Sequence, residues 1–180
     1  MKRLLIYASH LLLFTVFVPY VMYLLATLAE PLMGFKPPAA FTYILPIPGY
    51  ALILLGLALM LRAEVDMYMH SGGTPFPFYN PPERLVREGI YACTRNPMYL
   101  GTTLEYCGLA LALNRLLMLP IALATLGLAM TLYFMHEKPK IERLNSREAL
   151  EYLSSTPLLI PRAKCLKQAF FFKRGEKPAT

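Results

Sequence analysis

Four long apolar blocks leave the chain little choice of fold. The first runs from Leu4 to Leu28 without a charge and the second from Phe41 to Leu61. The third runs from Met98 to Leu113 with one acid, Glu105, and the fourth from Leu116 to Met135. A membrane-crossing helix needs about 20 mostly apolar residues, and each block comes near that length. Lipid gives no partner to an open strand edge, so blocks of this kind are helices. Hydrophobic residues make up 56% of the chain and charged residues 16%, with a mean hydropathy of +0.43. A soluble domain carries about a quarter charged residues. The expected fold is an all-α, polytopic membrane bundle of about four transmembrane helices, one domain over residues 1–180, with a loop at 62–97 and an interfacial segment at 136–173. Only Asn114 and Arg115 separate the last two blocks, which must then form a tight antiparallel hairpin.

Lys2 and Arg3 ahead of the first block resemble the start of a signal peptide. The apolar run is too long for that reading and no small-x-small cleavage pattern closes it, so a retained helix is expected. The net charge of +7 is distributed by topology rather than for nucleic acid. With four spans, Lys2 and Arg3, then Arg62, Arg84, Arg87 and Arg95, then ten basic residues after Met135 fall on one side, against Lys36 and Arg115 on the other. The positive-inside rule puts that richer side, and both termini, in the cytoplasm. The basic tail from Lys164 to Lys177 reads as an anchor on the lipid surface, with Phe170 to Phe172 dipping into it. Cys93, Cys107 and Cys165 are widely spaced, and neither a disulfide framework nor a zinc site is expected. His70 and His136 have no third ligand at metal-binding spacing. Nothing in the sequence points to an obligatory protein partner.

Two segments at the cytoplasmic face can hold chemistry. The loop at 62–97 has prolines at 75, 77, 81 and 82 that exclude a long helix, and aromatic residues Phe76, Phe78, Tyr79 and Tyr91 that suit an ordered lid. It ends in Asn96-Pro97, a helix start with Asn as N-cap and Pro at the first helical position. Helix N-termini favour anions, and Arg95 sits beside this one. The second segment is His136-Glu137-Lys138-Pro139, where Pro139 is expected to break the fourth helix before an amphipathic stretch carrying Ile141, Leu144 and Leu150. Arg95 and Glu137 supply one cation and one anion at the same membrane face. Taken alone, Arg95 reads as a snorkelling anchor and Glu137 as an interfacial acid. His10 reads as a packed or hydrogen-bonded helix residue, and Tyr99, Thr102, Tyr106 and Leu109, at helical spacing, read equally as helix packing or as pocket lining.

The run Gly89-Ile90-Tyr91-Ala92-Cys93-Thr94-Arg95-Asn96-Pro97-Met98-Tyr99-Leu100-Gly101 resembles the signature of the isoprenylcysteine carboxyl and phospholipid methyltransferases, small integral membrane enzymes. Gly73-Thr74-Pro75 and Pro81-Pro82-x-x-Leu85-Val86 resemble the lead-in of prokaryotic members. Tyr152 to Pro161, with Thr156-Pro157 and Ile160-Pro161, resembles the downstream motif. The sequence departs from the family pattern at Asn96, a variant of the frequent His, at Lys138, where a second Glu is usual, and at Asn145-Ser146 in place of Phe-Gly.

The resemblance implies S-adenosylmethionine as cofactor, bound without a Rossmann domain in a pocket between the hairpin and the C-terminal segment. Tyr91, Arg95, Asn96, Pro97, Tyr99, Leu100 and Gly101 would line it. Glu137 would hold the methionyl ammonium with His136 nearby, and Arg95 and Glu137 would be the catalytic pair. The acceptor would be lipophilic or amphiphilic, taken from the membrane lipid of a prokaryotic plasma membrane. A carboxylate acceptor would need only a positioning cation such as Arg95 or Arg62. An amine would need a base, for which Glu64, Asp66, His70 and Glu105 are candidates. A membrane reductase related to sterol reductases and a non-catalytic scaffold are the competing readings.

Overall fold

A computed structural model describes residues 2–34, 38–75, 84–144, 146–162, 165–166 and 169. The described residues are helical and contain no strand. Helix α1 (Lys2–Leu12) passes through a π-turn (Leu13–Phe17) into α2 (Val18–Leu32). A short α3 (Phe41–Ile44) leads into α4 (Pro46–His70). Helix α5 (Pro97–Ala112) is followed by α6 (Met118–Leu132), which passes through a second π-turn (Tyr133–Glu137) into α7 (Lys138–Arg143). Helix α8 (Arg147–Ser155) completes the set.

Among the described residues, three continuous helices, Lys2–Leu32, Pro46–His70 and Met118–Arg143, are long and apolar enough to cross a membrane. The remaining expected span, the third apolar block, is α5, whose 16 residues extend only about 24 Å against a hydrocarbon core of roughly 30 Å. Three boundaries also differ from the sequence expectation. The second helix continues past Leu61 for two more turns, because its polar residues are paired: Arg62 with Asp66 at 3.0 Å, and Glu64 with His10. The first helix reaches Leu32, and Pro139 does not break the last helix, which continues to Arg143.

Both π-turns have the same local cause. Pro19 and Pro139 each lie two residues beyond a π-turn, at Leu13–Phe17 and Tyr133–Glu137. A proline lacks the N–H for the helical ladder and crowds the carbonyl four residues back. Widening the preceding turn accommodates the ring without ending the helix. The Phe14 carbonyl inside the first π-turn accepts a hydrogen bond from the Tyr106 hydroxyl at 2.7 Å, which also ties α5 to the first helix.

The spine of the bundle is the antiparallel contact between α4 and α5, made close by glycine. A Cβ on Gly56 would lie 2.6 Å from the Gly101 carbonyl and the Glu105 amide. One on Gly108 would lie 2.7 Å from the Gly49 carbonyl and the Ile53 amide. Each glycine costs up to about 1 kcal/mol of helix propensity relative to alanine. Close backbone packing, the main attraction between helices in lipid, offsets that cost. The α5–α6 connection closes as expected for a tight hairpin. Asn114 adopts φ 51°, Arg115 N–H donates to Ala110 O at 2.8 Å, and Asn114 N–H to Leu111 O at 3.2 Å. This is a Schellman cap with Asn in the left-handed position.

The N-terminus and the segments after α4 and α8 share one end of the bundle. Arg3 donates to the carbonyls of Gly73 at 3.0 Å and Tyr68 at 2.7 Å, and Arg95 N–H donates to Pro157 O at 2.9 Å. At the other end Arg115 pairs with buried Glu30 at 2.9 Å. The expected lid residues Phe76, Phe78 and Tyr79, the Pro81-Pro82 lead-in, Lys36, and the basic tail with Phe170 to Phe172 lie outside the described residues.

Candidate active site

The segment before α5 is built around Gly89. Its φ is +61°, and a Cβ there would lie 2.0 Å from an Asp66 carboxylate oxygen, so only glycine fits. That carboxylate accepts from Ile90 N–H at 2.7 Å and from Arg62 Nε at 3.0 Å. Asp66 is thus committed to holding the loop against α4.

From Tyr91 onward the signature is strapped by the C-terminal segment. Tyr152 donates its hydroxyl to Tyr91 O at 3.1 Å, and Thr94 donates its hydroxyl to Leu159 O at 2.8 Å. Asn96 occupies the N-cap position of α5 with Pro97 first in the helix, as expected, but makes no side-chain cap. Its Nδ2 donates to Leu158 O at 2.8 Å instead. Cys93 and Cys165 form a disulfide, contrary to the sequence expectation; folding closes a separation of 72 residues that spacing alone does not reveal. Cys107 is a free thiol.

These contacts leave a cavity of about 680 Å³, within the ~300–1,000 Å³ range of small-molecule sites. Every long helix contributes to its wall: His10, Phe14 and Val18 from the first, Met60 and Met67 from α4, Tyr99, Thr102 and Tyr106 from α5, and Thr125, Leu128 and Leu132 from α6. Its polar end is formed by Tyr91, Arg95, Tyr133, Glu137 and Tyr152. Arg95 Nη1 donates to the Tyr133 hydroxyl at 3.2 Å, and Tyr99 donates its hydroxyl to Glu137 Oε1 at 2.7 Å. Arg95 Nε and the Tyr91 hydroxyl are buried with no hydrogen-bond partner among the described residues. Such donors are costly unless a ligand meets them.

Burial raises the Tyr91 pKa well above its ordinary value, and the nearby Tyr152, Glu64 and Glu137 push it further. Burial likewise raises that of Tyr152. Both phenols therefore stay protonated and can donate throughout the physiological range.

Of the residues expected to form the site, Tyr91, Arg95, Asn96, Pro97, Tyr99 and Glu137 line this cavity. Leu100, Gly101 and His136 do not. Leu100 packs into the cluster of Leu59, Ala63 and Ile90, Gly101 faces the backbone of Gly56, and His136 is exposed. Lys138 pairs with Glu142 at 3.2 Å along its own helix. Among the expected bases, Asp66 is engaged as described, His70 is exposed with Nδ1 2.8 Å from Asp66 O, and Glu105 is buried away from the cavity. Sequence reasoning missed Tyr133, which partners Arg95 from one turn before Glu137, and did not single out Tyr152 within the downstream motif. It also missed His10 as a cavity residue.

The family model for phospholipid methyltransferase matches residues 44–147, more than half of the chain. The match takes in Arg95 and Glu137 and stops short of both His10 and Tyr152. No curated protein and no solved structure matches the chain. By its family match the chain belongs to the phospholipid methyltransferase family, which makes it a membrane methyltransferase.

Proposed function

We propose that the protein transfers the methyl group of S-adenosylmethionine to a lipid-soluble or amphiphilic acceptor, with a phospholipid headgroup amine favoured by the family description. The supporting observation is the pairing of opposite charges at the polar end of an otherwise apolar cavity. Arg95 has an unmatched buried Nε, and Glu137 is positioned by the Tyr99 hydroxyl. The methionyl end of the cofactor carries a carboxylate and an ammonium, which fit those two side chains in kind. When bound, the cofactor supplies a methyl group on a sulfonium sulfur.

The chain's own part is to bind, orient and exclude water. Arg95 and the protonated Tyr91 hydroxyl offer donors to a carboxylate, and Glu137 offers an acceptor to an ammonium. The walls from α5 and α6 give an acyl-bearing acceptor an apolar approach. Displacement at a methyl carbon depends on alignment and desolvation more than on covalent help from the protein. By the distribution of basic residues, the site faces the cytoplasm of a prokaryotic plasma membrane, with both termini on that side.

The test is transfer of radiolabelled methyl from S-adenosylmethionine to lipid in nanodiscs. Vesicle lipids with a primary-amine headgroup should be labelled, and a lipid ending in a quaternary ammonium should not. Labelling of neither, or of a carboxylate acceptor alone, contradicts the amine reading.

A further inference from the structure

Pro19 leaves a carbonyl of the first helix without its usual partner. At the end of the π-turn Val18 N–H donates to Leu13 O. The next donor in that pattern would serve Phe14 O, but the next residue is Pro19, which has no N–H. The Tyr106 hydroxyl fills the gap, donating to Phe14 O at 2.7 Å. Tyr106 is 2% exposed and belongs to the packed cluster of Met22, Ala26, Ala110, Met118 and Ala122, yet it also lines the cavity. It is therefore the floor, with open space on one side and solid packing on the other. The floor lies about 10 Å along α5 from Tyr99. Val18, which packs against the same cluster, and Thr125, about one turn from Ala122, line the cavity beside it.

The two ends of the cavity differ in what they offer a ligand. At the polar end Arg95 Nε and the Tyr91 hydroxyl are unmet donors. At the deep end Tyr106 and Thr125 have given their hydroxyl protons to Phe14 O and Ala122 O. Thr102 and Thr103, between the two ends, donate to carbonyls of their own helix. Phe14, Val18 and Leu126 add only carbon to the deep wall. The ring nitrogens of a purine need donors, and none of these side chains has one left. Burying such nitrogens there would cost unmet hydrogen bonds, whereas a hydrocarbon needs none.

We infer that the deep end takes one alkyl chain of the acceptor lipid, and that Tyr106, with Val18 and Thr125, determines how far that chain enters. The inference rests on the methyltransferase reading above and deepens it, dividing the cavity between the cofactor at the Arg95 end and the acceptor's chain at the Tyr106 end. The direction agrees with a bilayer. The polar end lies among segments outside the long apolar helices, so the floor points toward the hydrocarbon interior, where an acyl chain runs. A buried tyrosine that only packed two helices together would have no bearing on which lipid is used.

The experiment uses full-length protein in nanodiscs containing phosphatidylethanolamine with a diazirine on one acyl chain, irradiated and read by mass spectrometry. A chain in bulk lipid touches exposed side chains such as Leu123, which is 59% exposed and does not line the cavity. Only a chain inside the cavity touches Tyr106. Adducts on both residues are expected in wild type. Val18→Phe and Thr125→Leu fill the deep end from its other walls and leave Tyr106 in place. Each should cut the Tyr106 adduct about tenfold relative to Leu123 and raise KM for the lipid about tenfold. Both should bind S-adenosylmethionine within twofold of wild type by calorimetry. Adducts on Leu123 without Tyr106, or a Tyr106 adduct that both fillings leave unchanged, overturn the inference. A tenfold loss of cofactor affinity in the filled variants also overturns it, because the deep end would then belong to the cofactor. Absence of cofactor binding by wild type that still gives the Tyr106 adduct overturns the underlying reading and leaves the chain site standing.

Discussion

The Tyr99 hydroxyl donates to Glu137 Oε1 at 2.7 Å, joining the first turn of α5 to the end of the π-turn below α6. The two residues are 38 apart in sequence and lie on the two arms of the helical hairpin. The bond fixes one oxygen of the carboxylate and leaves the other for a ligand. Tyr99→Phe should therefore weaken S-adenosylmethionine binding roughly tenfold, about 1.4 kcal/mol, in keeping with a hydrogen bond to a charged group. Unchanged affinity in calorimetry would show that Glu137 needs no such support.

Glycine packing between α4 and α5 gives a second expectation. Gly56→Ala places a methyl 2.6 Å from backbone atoms of Gly101 and Glu105, which cannot rotate away. Overpacking of this kind costs about 1–3 kcal/mol, so thermal unfolding in detergent should move down by several degrees. Gly127→Ala is the control: nothing lies within 4 Å of its Cβ position. Equal behaviour of the two variants would contradict the close approach.

How much of this could be read from the chain alone differs by range. The apolar blocks announce helices because a span must satisfy its own backbone, and the Asn114-Arg115 hairpin follows from their separation. The Arg95 and Glu137 ends of the cavity follow from a local signature. Polar residues at 62–70 misled, since Arg62, Glu64 and Asp66 look like loop until their partners His10 and Ile90 are known. Those partners, like Cys165 for Cys93 and Leu158 for Asn96, are set by tertiary contact and carry no spacing signal. Proline at 19 and 139 signals a disturbed helix but does not say whether the helix ends or widens.

Thiol counting tests the strap across the signature. Unfolded without reductant, the protein should take one maleimide-polyethylene glycol adduct, on Cys107, and after reduction three. Three adducts before reduction would mean that Cys93 and Cys165 are neighbours and not bonded. A bond that forms only outside the cell would follow from the cytoplasmic placement proposed for this end, since cytosolic thiol pools keep most cysteines reduced.

At the far end, Glu30 is 2% exposed and is balanced by Arg115 at 2.9 Å and by Leu117 N–H at 3.3 Å. Arg115→Ala leaves a buried carboxylate without its cation and should cost about 3–5 kcal/mol. Adding Glu30→Gln to that variant should recover much of the loss. Cofactor affinity should hold in both, because neither residue lines the cavity. No recovery in the double variant would show that the pair is not coupled.

The central claim is that Arg95 and Glu137 hold the two charged ends of a methionyl group. Titrating S-adenosylmethionine by calorimetry into purified wild type, Arg95→Ala and Glu137→Gln measures it directly. The expected result is micromolar binding by wild type and a loss of tenfold or more in each variant, on the order of 1.4 kcal/mol apiece. No binding by intact wild-type protein, or binding that both substitutions leave untouched, would contradict it.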